Sequence, residues 1–168
     1  MAERRLAELP SRTLVFVDAS VMIPAIAGQG AIGHECANCL RRAARGEILA
    51  FTSATAVSET VHRVIVTEAI SRFNLTPREA VDYLKKHPDR VKTLHSHLST
   101  VDEIENFGIT VLPVTYQHLQ ISKAYRQSYG LMTNDSLMLA VMQARRLKHL
   151  ATNDRDFNRV ANIRVWSP

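Results

Sequence analysis

The chain has 168 residues, of which 46% are hydrophobic, 22% are charged and 6% are aromatic, and its formal net charge is +5. This length and composition suit one globular domain with a hydrophobic core. The few aromatic residues argue against an extended surface of rings for stacking single-stranded bases. No run of about 18 apolar residues is present, so no membrane span is expected. The basic excess permits a nucleic-acid partner through phosphate neutralisation but does not require one.

The N-terminal part of the chain predicts a polar arm, a buried strand and a loop. Residues 1–12 are too polar to contain the apolar part of a signal peptide, and we interpret them as a short arm. The stretch TLVFVDAS then places a continuous apolar run, Leu14 to Val17, directly before Asp18. A short β-branched and aromatic run without polar alternation is typical of a strand that is covered on both faces. Residues 21–33 contain three glycines and a proline, and they predict a loop.

A helix predicted over roughly 33–45 carries both cysteines of the chain, Cys36 and Cys39, and ends at Gly46. A C-x-x-C pair occurs in redox sites and in zinc sites, but no second cysteine pair is present to complete a zinc site. We therefore interpret both cysteines as small hydrophobic residues of a helix, and their number fits a reducing cytoplasm. The stretch EILAFTS at 47–53 predicts a second strand.

The middle of the chain predicts helices almost exclusively. One helix begins near Ser53 and places its apolar residues at spacings of three and four. Residues 74–106 predict a helical hairpin inserted into the domain, and its first helix begins after an N-terminal cap at Thr76. Residues 88–107 predict one continuous helix that is stopped by Gly108. The apolar residues expected on one face of that helix are Val91, Leu94, Leu98, Val101 and Ile104.

The C-terminal third returns to alternating strands and helices. The predicted elements are strands at 109–114, 149–153 and 162–166, and helices at 115–129 and 134–148. Such alternation specifies an α/β fold with a mainly parallel central sheet, because parallel neighbours need crossover connections. We expect residues 1–168 to form a single domain.

Acidic residues recur where a parallel sheet binds its ligands. Ligands of open parallel sheets bind beyond the carboxyl ends of the strands, and Asp18 and Asp154 each follow a predicted strand. Glu59 and Asp135 lie near the starts of two predicted helices. A helix cap, a turn or a solvated surface charge would account for three of these acids singly. Asp18 is the hardest to explain, because a carboxylate against a buried strand loses solvation unless it is paired or bound to a metal.

Taken together, the four carboxylates predict a divalent metal site. Like charges about 4 Å apart repel by roughly 4 kcal/mol per pair at an effective dielectric near 20. No lysine or arginine adjoins Asp18 or Asp135 in the sequence. Hard oxygen ligands of this kind suit Mg²⁺ or Mn²⁺. Beside a basic surface, such an ion would activate water and offset charge on the leaving oxygen during phosphodiester hydrolysis.

Four stretches of the chain carry a family resemblance, namely FVDASVMIPA, SATAVSETVHRV, NDSLMLAVMQARRLKHLATNDRDF and the closing NIRVW. With these motifs in this order, residues 14–166 resemble the PIN-domain nucleases, and among them the VapC-type toxins of toxin–antitoxin pairs. The resemblance implies a three-layer α/β/α fold and a cytoplasmic ribonuclease that depends on Mg²⁺ or Mn²⁺. It also implies RNA as the substrate, an antitoxin protein as a partner, and a homodimer, since relatives often dimerise.

The resemblance further implies which residues form the site. The acids that bind metal would be Asp18, Glu59, Asp135 and Asp154, with Asp156 as a further candidate from the last loop. Three polar side chains would support the carboxylates or the waters of the metal, although cap and turn roles account for them equally well; they are Ser20, Asn134 and Thr152. Arg155 and Arg159 flank the last loop, and we expect them to contact the RNA backbone.

The sequence leaves alternatives open for the function of the chain and for the roles of several basic residues. A non-catalytic RNA-binding or protein-interaction module would keep the fold, although the presence of all four acids argues against a degenerate site. A phosphoaspartyl phosphatase of the haloacid dehalogenase type needs a second aspartate two positions after the first, where this chain has Ser20. The basic residues Arg41, Arg42 and Arg45 either complement a helix dipole or contact phosphate. His62 lies three positions after Glu59, and we interpret it as a residue of the helix surface.

Overall fold

The structure, a computed structural model, describes residues 4–28 and 30–168. The strands are β1 (Leu14–Val17), β2 (Leu49–Ser53), β3 (Thr110–Leu112), β4 (His149–Ala151) and β5 (Arg164–Trp166). The α-helices are α1 (Ala19–Ala27), α2 (Gly30–Ala44), α3 (Ala54–Phe73), α4 (Pro77–Lys86), α5 (Pro88–Val91), α6 (Thr100–Asn106), α7 (Tyr116–Tyr129) and α8 (Thr133–Ala144). Two 3-10 helices span Leu6–Glu8 and Arg155–Arg159. No helix of the described part is both long and apolar enough to cross a membrane.

The central strand β1 shows why both faces of the sheet are covered. Val15 and Val17 pack into one core with α1 and α2, whereas Phe16 packs into a second core with α8. Successive side chains of a strand point to opposite faces, and all three residues are fully buried. Every strand pairing in the described residues is parallel. The predicted three-layer α/β/α fold with a parallel sheet is therefore confirmed.

The strand order β3-β2-β1-β4-β5 places a crevice in the middle of the sheet. The chain runs outward from β1 through β2 to β3, and then continues on the other side of β1 with β4 and β5. Ligands of open α/β sheets bind where the order reverses, outside the carboxyl ends of the strands. The reversal here lies between β1 and β4, and these strands lead directly into Asp18 and Thr152.

The prediction of a loop over 21–33 was wrong for most of that stretch, because α1 and the beginning of α2 occupy it. Val21 and Met22 are fully buried in the core, so packing stabilises α1 despite the proline within it. The glycines act at the helix ends instead. A Cβ atom on Gly28 would lie 2.4 Å from the carbonyl oxygen of Pro24, which only glycine avoids. Gln29 lies outside the described residues.

The segment predicted as a polar arm packs against the domain over residues 4–12. Leu6 and Leu9 are buried in the main core. The Arg42 guanidinium donates hydrogen bonds to the carbonyl oxygens of both, at 3.3 Å and 2.6 Å. This explains one of the three arginines that the sequence left open, because Arg42 fastens the N-terminal segment to α2. Residues 1–3 of the predicted arm lie outside the described part.

The helical insertion also differs from its prediction. Residues 88–107 form α5, a run of turns and α6 rather than one helix, so Leu98 and Val101 are 65% and 46% exposed instead of buried. The turn is fixed from outside, since the Glu68 carboxylate of α3 accepts hydrogen bonds from the backbone N–H groups of His95 and Ser96. The insertion packs on α3 through a small separate core, in which Leu84 and Leu94 contact Ala69 of α3.

Candidate active site

Asp18 lies at the junction between the central strand and α1, where it occupies the N-cap position. Its backbone N–H donates to the carbonyl oxygen of Ala151, at 3.0 Å, which ties the end of β1 to the end of β4. Its Oδ2 atom accepts two hydrogen bonds, from the Ser20 hydroxyl at 2.6 Å and from the Thr152 hydroxyl at 2.8 Å. With both hydroxyl protons directed at Oδ2, the Oδ1 atom remains for another ligand.

The loop after β4 is held by the same two hydroxyl groups. The Thr152 side chain is fully buried, and its Oγ1 atom accepts from the backbone N–H of Asp154 at 3.0 Å. Ser20 Oγ accepts from the backbone N–H of Asn153 at 2.9 Å. Asp154 in turn caps the following 3-10 helix, because its Oδ1 atom accepts from the backbone N–H of Asp156 at 2.8 Å. The loop and Asp18 therefore form one hydrogen-bonded unit.

Two helices complete the cleft. Glu59 projects from α3, whose N-cap Ser53 accepts a hydrogen bond from the backbone N–H of Ala56 at 3.2 Å. Asp135 lies in the first turn of α8, where the helix dipole favours an acidic side chain. The open space between these elements is about 270 Å³. Its lining residues are Asp18, Ser53, Thr55, Ala56, Glu59, Asn134, Asp135 and Met138.

The acidic side chains act on one another through their charges. Burial raises the pKa of the Asp135 carboxyl most, and the negative charges of Asp154, Asp18, Asp156 and Glu59 raise it further, in that order. All the acids predicted for the site are thus near enough to influence Asp135. Such a cluster is unfavourable on its own, because like charges repel and burial removes water from the carboxylate.

The cleft fits a hard divalent cation that keeps part of its water shell. Among the described residues, no group of three or more His, Cys, Asp and Glu side chains is close enough to form a ready-made metal cage. Mg²⁺ seldom needs one, since it usually keeps several waters and takes one or two carboxylates from the protein. The cleft is open to solvent on one side, so the remaining waters of such an ion would lie on that side. The donor set is carboxylate oxygen, which is the chemistry that Mg²⁺ and Mn²⁺ prefer.

The supporting residues predicted from the sequence are placed differently from one another. Ser20 and Thr152 contact Asp18 directly, whereas Asn134 lines the cleft and is exposed. Arg159 pairs with Asp156 at 2.8 Å, and Arg155 is exposed on the same 3-10 helix.

Four residues of the cleft were not predicted as site residues, namely Ser53, Thr55, Ala56 and Met138. Ser53 was recognised only as a helix cap, and no sequence signal distinguishes a cap that faces a cleft from one that faces solvent. The hydroxyl groups of Ser53 and Thr55 lie 2.9 Å apart and form a polar side of the cleft.

A comparison with protein families identifies this arrangement. The PIN-domain family model matches residues 15–163. The chain belongs to the PIN-domain family. The matched region contains β1 without its first residue, β2, β3 and β4, together with all five acids of the proposed site, and it ends just before β5. The resemblance inferred from the sequence is therefore confirmed. No curated protein is similar enough in sequence to count as a match.

Several solved structures share the fold of this PIN domain. A toxin–antitoxin complex from Klebsiella pneumoniae is 18% identical, with a TM-score of 0.58 over 89% of this chain and 95% of that chain. The Mycobacterium tuberculosis toxin VapC20, described as cleaving the sarcin-ricin loop, is 14% identical, with a TM-score of 0.58 over 89% and 96%. VapBC2 from Rickettsia felis, bound to a DNA fragment from its promoter, is 14% identical, with a TM-score of 0.58 over 92% and 98%. At these identities the likeness concerns the fold.

Proposed function

We propose that this PIN domain is a metal-dependent endoribonuclease that hydrolyses phosphodiester bonds of RNA. The observation that supports the proposal is that Asp18, Glu59 and Asp135 line one cleft, while Asp154 and Asp156 lie near enough for their charges to add to the effect of burial in raising the pKa of Asp135. PIN domains are in general ribonucleases. The chain's net charge of +5 suits a polyanionic substrate even though the cleft itself is acidic.

Asp18, Glu59, Asp135 and Asp154 would hold one or two Mg²⁺ or Mn²⁺ ions, and Asp156, on the 3-10 helix after β4, is a further candidate ligand. A bound ion of this kind supplies a nucleophilic water at neutral pH and stabilises charge on the leaving oxygen. Ser20 and Thr152 position Asp18 by donating to its Oδ2 atom, which leaves Oδ1 available to a metal ion. Asn134, at the rim, is available to hydrogen-bond a water or a phosphate oxygen.

The basic residues beside the cleft suit contact with the RNA backbone. Arg155 and Arg159 lie on the 3-10 helix that Asp154 caps. Arg159 is shared with Asp156 through an ion pair whose two side chains are about half exposed. A pair this exposed is weak, so a phosphate can compete for the arginine. Arg155 is the freer of the two for such a contact.

The toxin role is a finer proposal that rests on the fold relatives. Two of the solved relatives are toxin–antitoxin assemblies and one is an RNA-cleaving toxin. By analogy we propose an antitoxin protein as a partner, a homodimer as the assembly, the cytoplasm as the location and residues 1–168 as a single PIN-like domain.

A second candidate function is a non-catalytic RNA-binding or protein-interaction module. The net charge of +5 supports it, since RNA binding through phosphate neutralisation requires no catalytic step. The two functions differ in turnover, because a binding module retains RNA without cleaving it.

The deciding experiment measures cleavage of a panel of single-stranded and structured RNAs with Mg²⁺, with Mn²⁺ and with EDTA. Asp18→Asn is expected to lower the cleavage rate at least a hundredfold while leaving the thermal unfolding midpoint close to that of the wild type. Asp102→Asn is the matched control, because Asp102 is exposed on α6, outside the cleft. Undiminished cleavage by purified Asp18→Asn, or equal loss in the control, would remove the cleft from the mechanism.

A further inference from the structure

A second groove lies on the helical insertion, on the surface of α4. We call it the α4 groove, and its walls are formed by Leu75, Arg78, Asp82, Tyr83, Lys86 and His87, with Glu79 between them. It is separate from the acidic cleft, with which it shares no lining residue. The groove combines cations with ring side chains, whereas the cleft combines carboxylates with hydroxyls.

The rings of the α4 groove form a short series of tilted ring contacts, with neighbouring planes 41° and 42° apart. Tyr83 lies between Phe73, at 5.5 Å between ring centroids, and His87, at 4.5 Å. The Arg90 guanidinium lies 5.7 Å from the Phe73 ring and closes the inner end of the series. His87 forms the outer end, and it is exposed. A planar group placed on His87 would extend a series of rings that is already ordered, so little conformational freedom is lost on binding.

The surroundings of the groove are strongly basic for so short a segment. Residues 72–92 contain six lysines and arginines against three acids, a net charge of +3, while the whole chain has +5. Two of the acids have other partners, since Glu79 accepts hydrogen bonds from Thr76 and Asp89 pairs with Lys92. Arg78 and Lys86 are exposed, and neither forms an ion pair with any residue that the structure describes.

Helix α3 connects the groove to the cleft and fixes their relative position. Glu59 in the cleft and Phe73 beneath the groove belong to this helix and are 14 positions apart. At about 1.5 Å per residue the two lie about 21 Å apart along the axis, and nearly four full turns bring them within about 40° of the same side. A polymer bound in the cleft can therefore reach the groove without passing around α3.

We propose that the α4 groove binds a single-stranded segment of the same RNA molecule that enters the cleft. The proposal rests on the ribonuclease function and names the substrate class, namely RNA that continues well beyond the scissile bond. Arg78 and Lys86 contact phosphates, and His87 stacks with a base. The separation corresponds to about six nucleotides of stacked strand at roughly 3.4 Å each. An acidic protein segment would engage the two cations but would gain nothing from the ring series.

The test compares RNA length in binding measurements on Asp18→Asn protein, which holds RNA without cleaving it. Fluorescein-labelled single-stranded RNAs of about 4 and about 20 nucleotides are titrated in Mg²⁺ buffer, because only the longer one spans both sites. The groove variant adds Arg78→Gln, Lys86→Gln and His87→Ala. The matched control adds Arg145→Gln, Lys148→Gln and His34→Ala, which remove the same side-chain types from exposed positions elsewhere.

The groove variant is expected to bind the longer RNA at least about fivefold more weakly than the Asp18→Asn protein. The magnitude of the slope of log affinity against log salt concentration should also fall by about 1.4, which corresponds to two lost phosphate contacts on a single strand at about 0.7 each. Its affinity for the short RNA changes less than about twofold, as does the affinity of the control for either RNA. Restoring a ring with His87→Tyr in place of His87→Ala recovers part of the loss, which a purely electrostatic surface would not do.

Unchanged affinity of the groove variant for the longer RNA, or an equal loss in the control, overturns the proposal. A loss of binding to polyglutamate without a loss for RNA also overturns it and assigns the groove to an acidic protein segment. The ribonuclease function is judged separately by the cleavage assay on the protein with native Asp18. If that protein cleaves no RNA while the length-dependent loss is present, the function fails and the groove stands. If the groove variant carrying native Asp18 cleaves long RNA as efficiently as the wild type, the groove fails and the function stands.

Discussion

Thr152→Val tests whether the loop after β4 holds Asp18 in place. The Thr152 hydroxyl donates to Asp18 Oδ2 at 2.8 Å and accepts from the Asp154 backbone N–H at 3.0 Å. The side chain is fully buried, and valine has nearly the same shape without the hydroxyl. The substitution therefore removes two hydrogen bonds and creates no sizeable cavity, so its effect reports on the hydroxyl alone.

The expected cost follows from the two bonds. A hydrogen bond to a charged acceptor contributes about 1.5–3 kcal/mol, and one between neutral groups about 0.5–1.5 kcal/mol. Asp18 keeps the bond from Ser20 and is partly exposed, which places the expected loss of unfolding free energy toward the lower end, at about 2–3 kcal/mol. For a chain of this size, about 2–4 °C per kcal/mol predicts a fall in the unfolding midpoint of roughly 4–12 °C.

Urea and thermal unfolding of the wild type, Thr152→Val and Thr152→Ser measure this cost. Serine keeps the hydroxyl and loses a methyl group, so it is expected to lose only about 1 kcal/mol, the approximate contribution of one buried carbon. The hydroxyl has no special role in stabilising the loop if Thr152→Val unfolds within about 0.5 kcal/mol of the wild type. The same conclusion follows if the serine variant is as unstable as the valine variant.

Three further predictions concern charge, the N-terminal segment and the cysteines. Because the folded-state pKa of Asp135 is raised, its ionised form destabilises the metal-free protein above that pKa. In EDTA, the Asp135→Asn variant should therefore melt a few degrees higher than the wild type at pH 7, and this gain should shrink as the pH falls towards 4. A gain that does not depend on pH would contradict this prediction. Arg42→Met should lower the free energy of unfolding in urea by about 2–3 kcal/mol, because two carbonyl groups lose a charged donor. The control Arg45→Met removes only an exposed ion pair and should lower it by less than about 1 kcal/mol. Equal losses in the two variants would show that Arg42 does not hold the N-terminal segment on α2. Burial raises the pKa of the Cys36 thiol to about 12 and that of the Cys39 thiol to about 11. Neither thiol should therefore react with a thiol reagent at pH 8 until urea unfolds the protein. Rapid reaction of the folded protein would instead indicate a redox role.

The fold was predictable where the evidence in the sequence is local. The run from Leu14 to Val17 has no polar residue, and only a strand buried on both faces places such a run in a domain of this kind. The alternation of elements then required parallel pairing. The prediction failed at α1 and at residues 92–99, for opposite reasons. Packing of Val21 and Met22 stabilises a helix that proline argues against, and the distant carboxylate of Glu68 fixes a turn where the apolar spacing predicts a helix.

The positions of the acids were predictable because the edge of a parallel sheet gathers whatever follows its strands. What holds the acids was much less predictable. Ser20 and Thr152 are 132 positions apart, and only the pairing of β1 with β4 brings their hydroxyls to one carboxylate oxygen. Two similar tripeptides illustrate the same limit. Thr133 and Thr152 each begin a Thr-Asn-Asp sequence, yet Thr133 is exposed at the start of a helix and Thr152 is fully buried.

The bonds that hold these acids leave their charge uncompensated, which is the strongest physical argument for a cation in the cleft. Asp18 is held by two neutral hydroxyls, and Asp154 is held by a backbone N–H. Among the described acids of the proposed site, only Asp156 pairs with an arginine, and it is exposed and does not line the cleft. A fold selected for stability alone would place a lysine or arginine among carboxylates that repel one another, because neutralising them removes the repulsion. Holding Asp18 and Asp154 in position by neutral donors instead preserves their negative charge beside Glu59 and Asp135, and a divalent cation is the group that would turn this repulsion into binding.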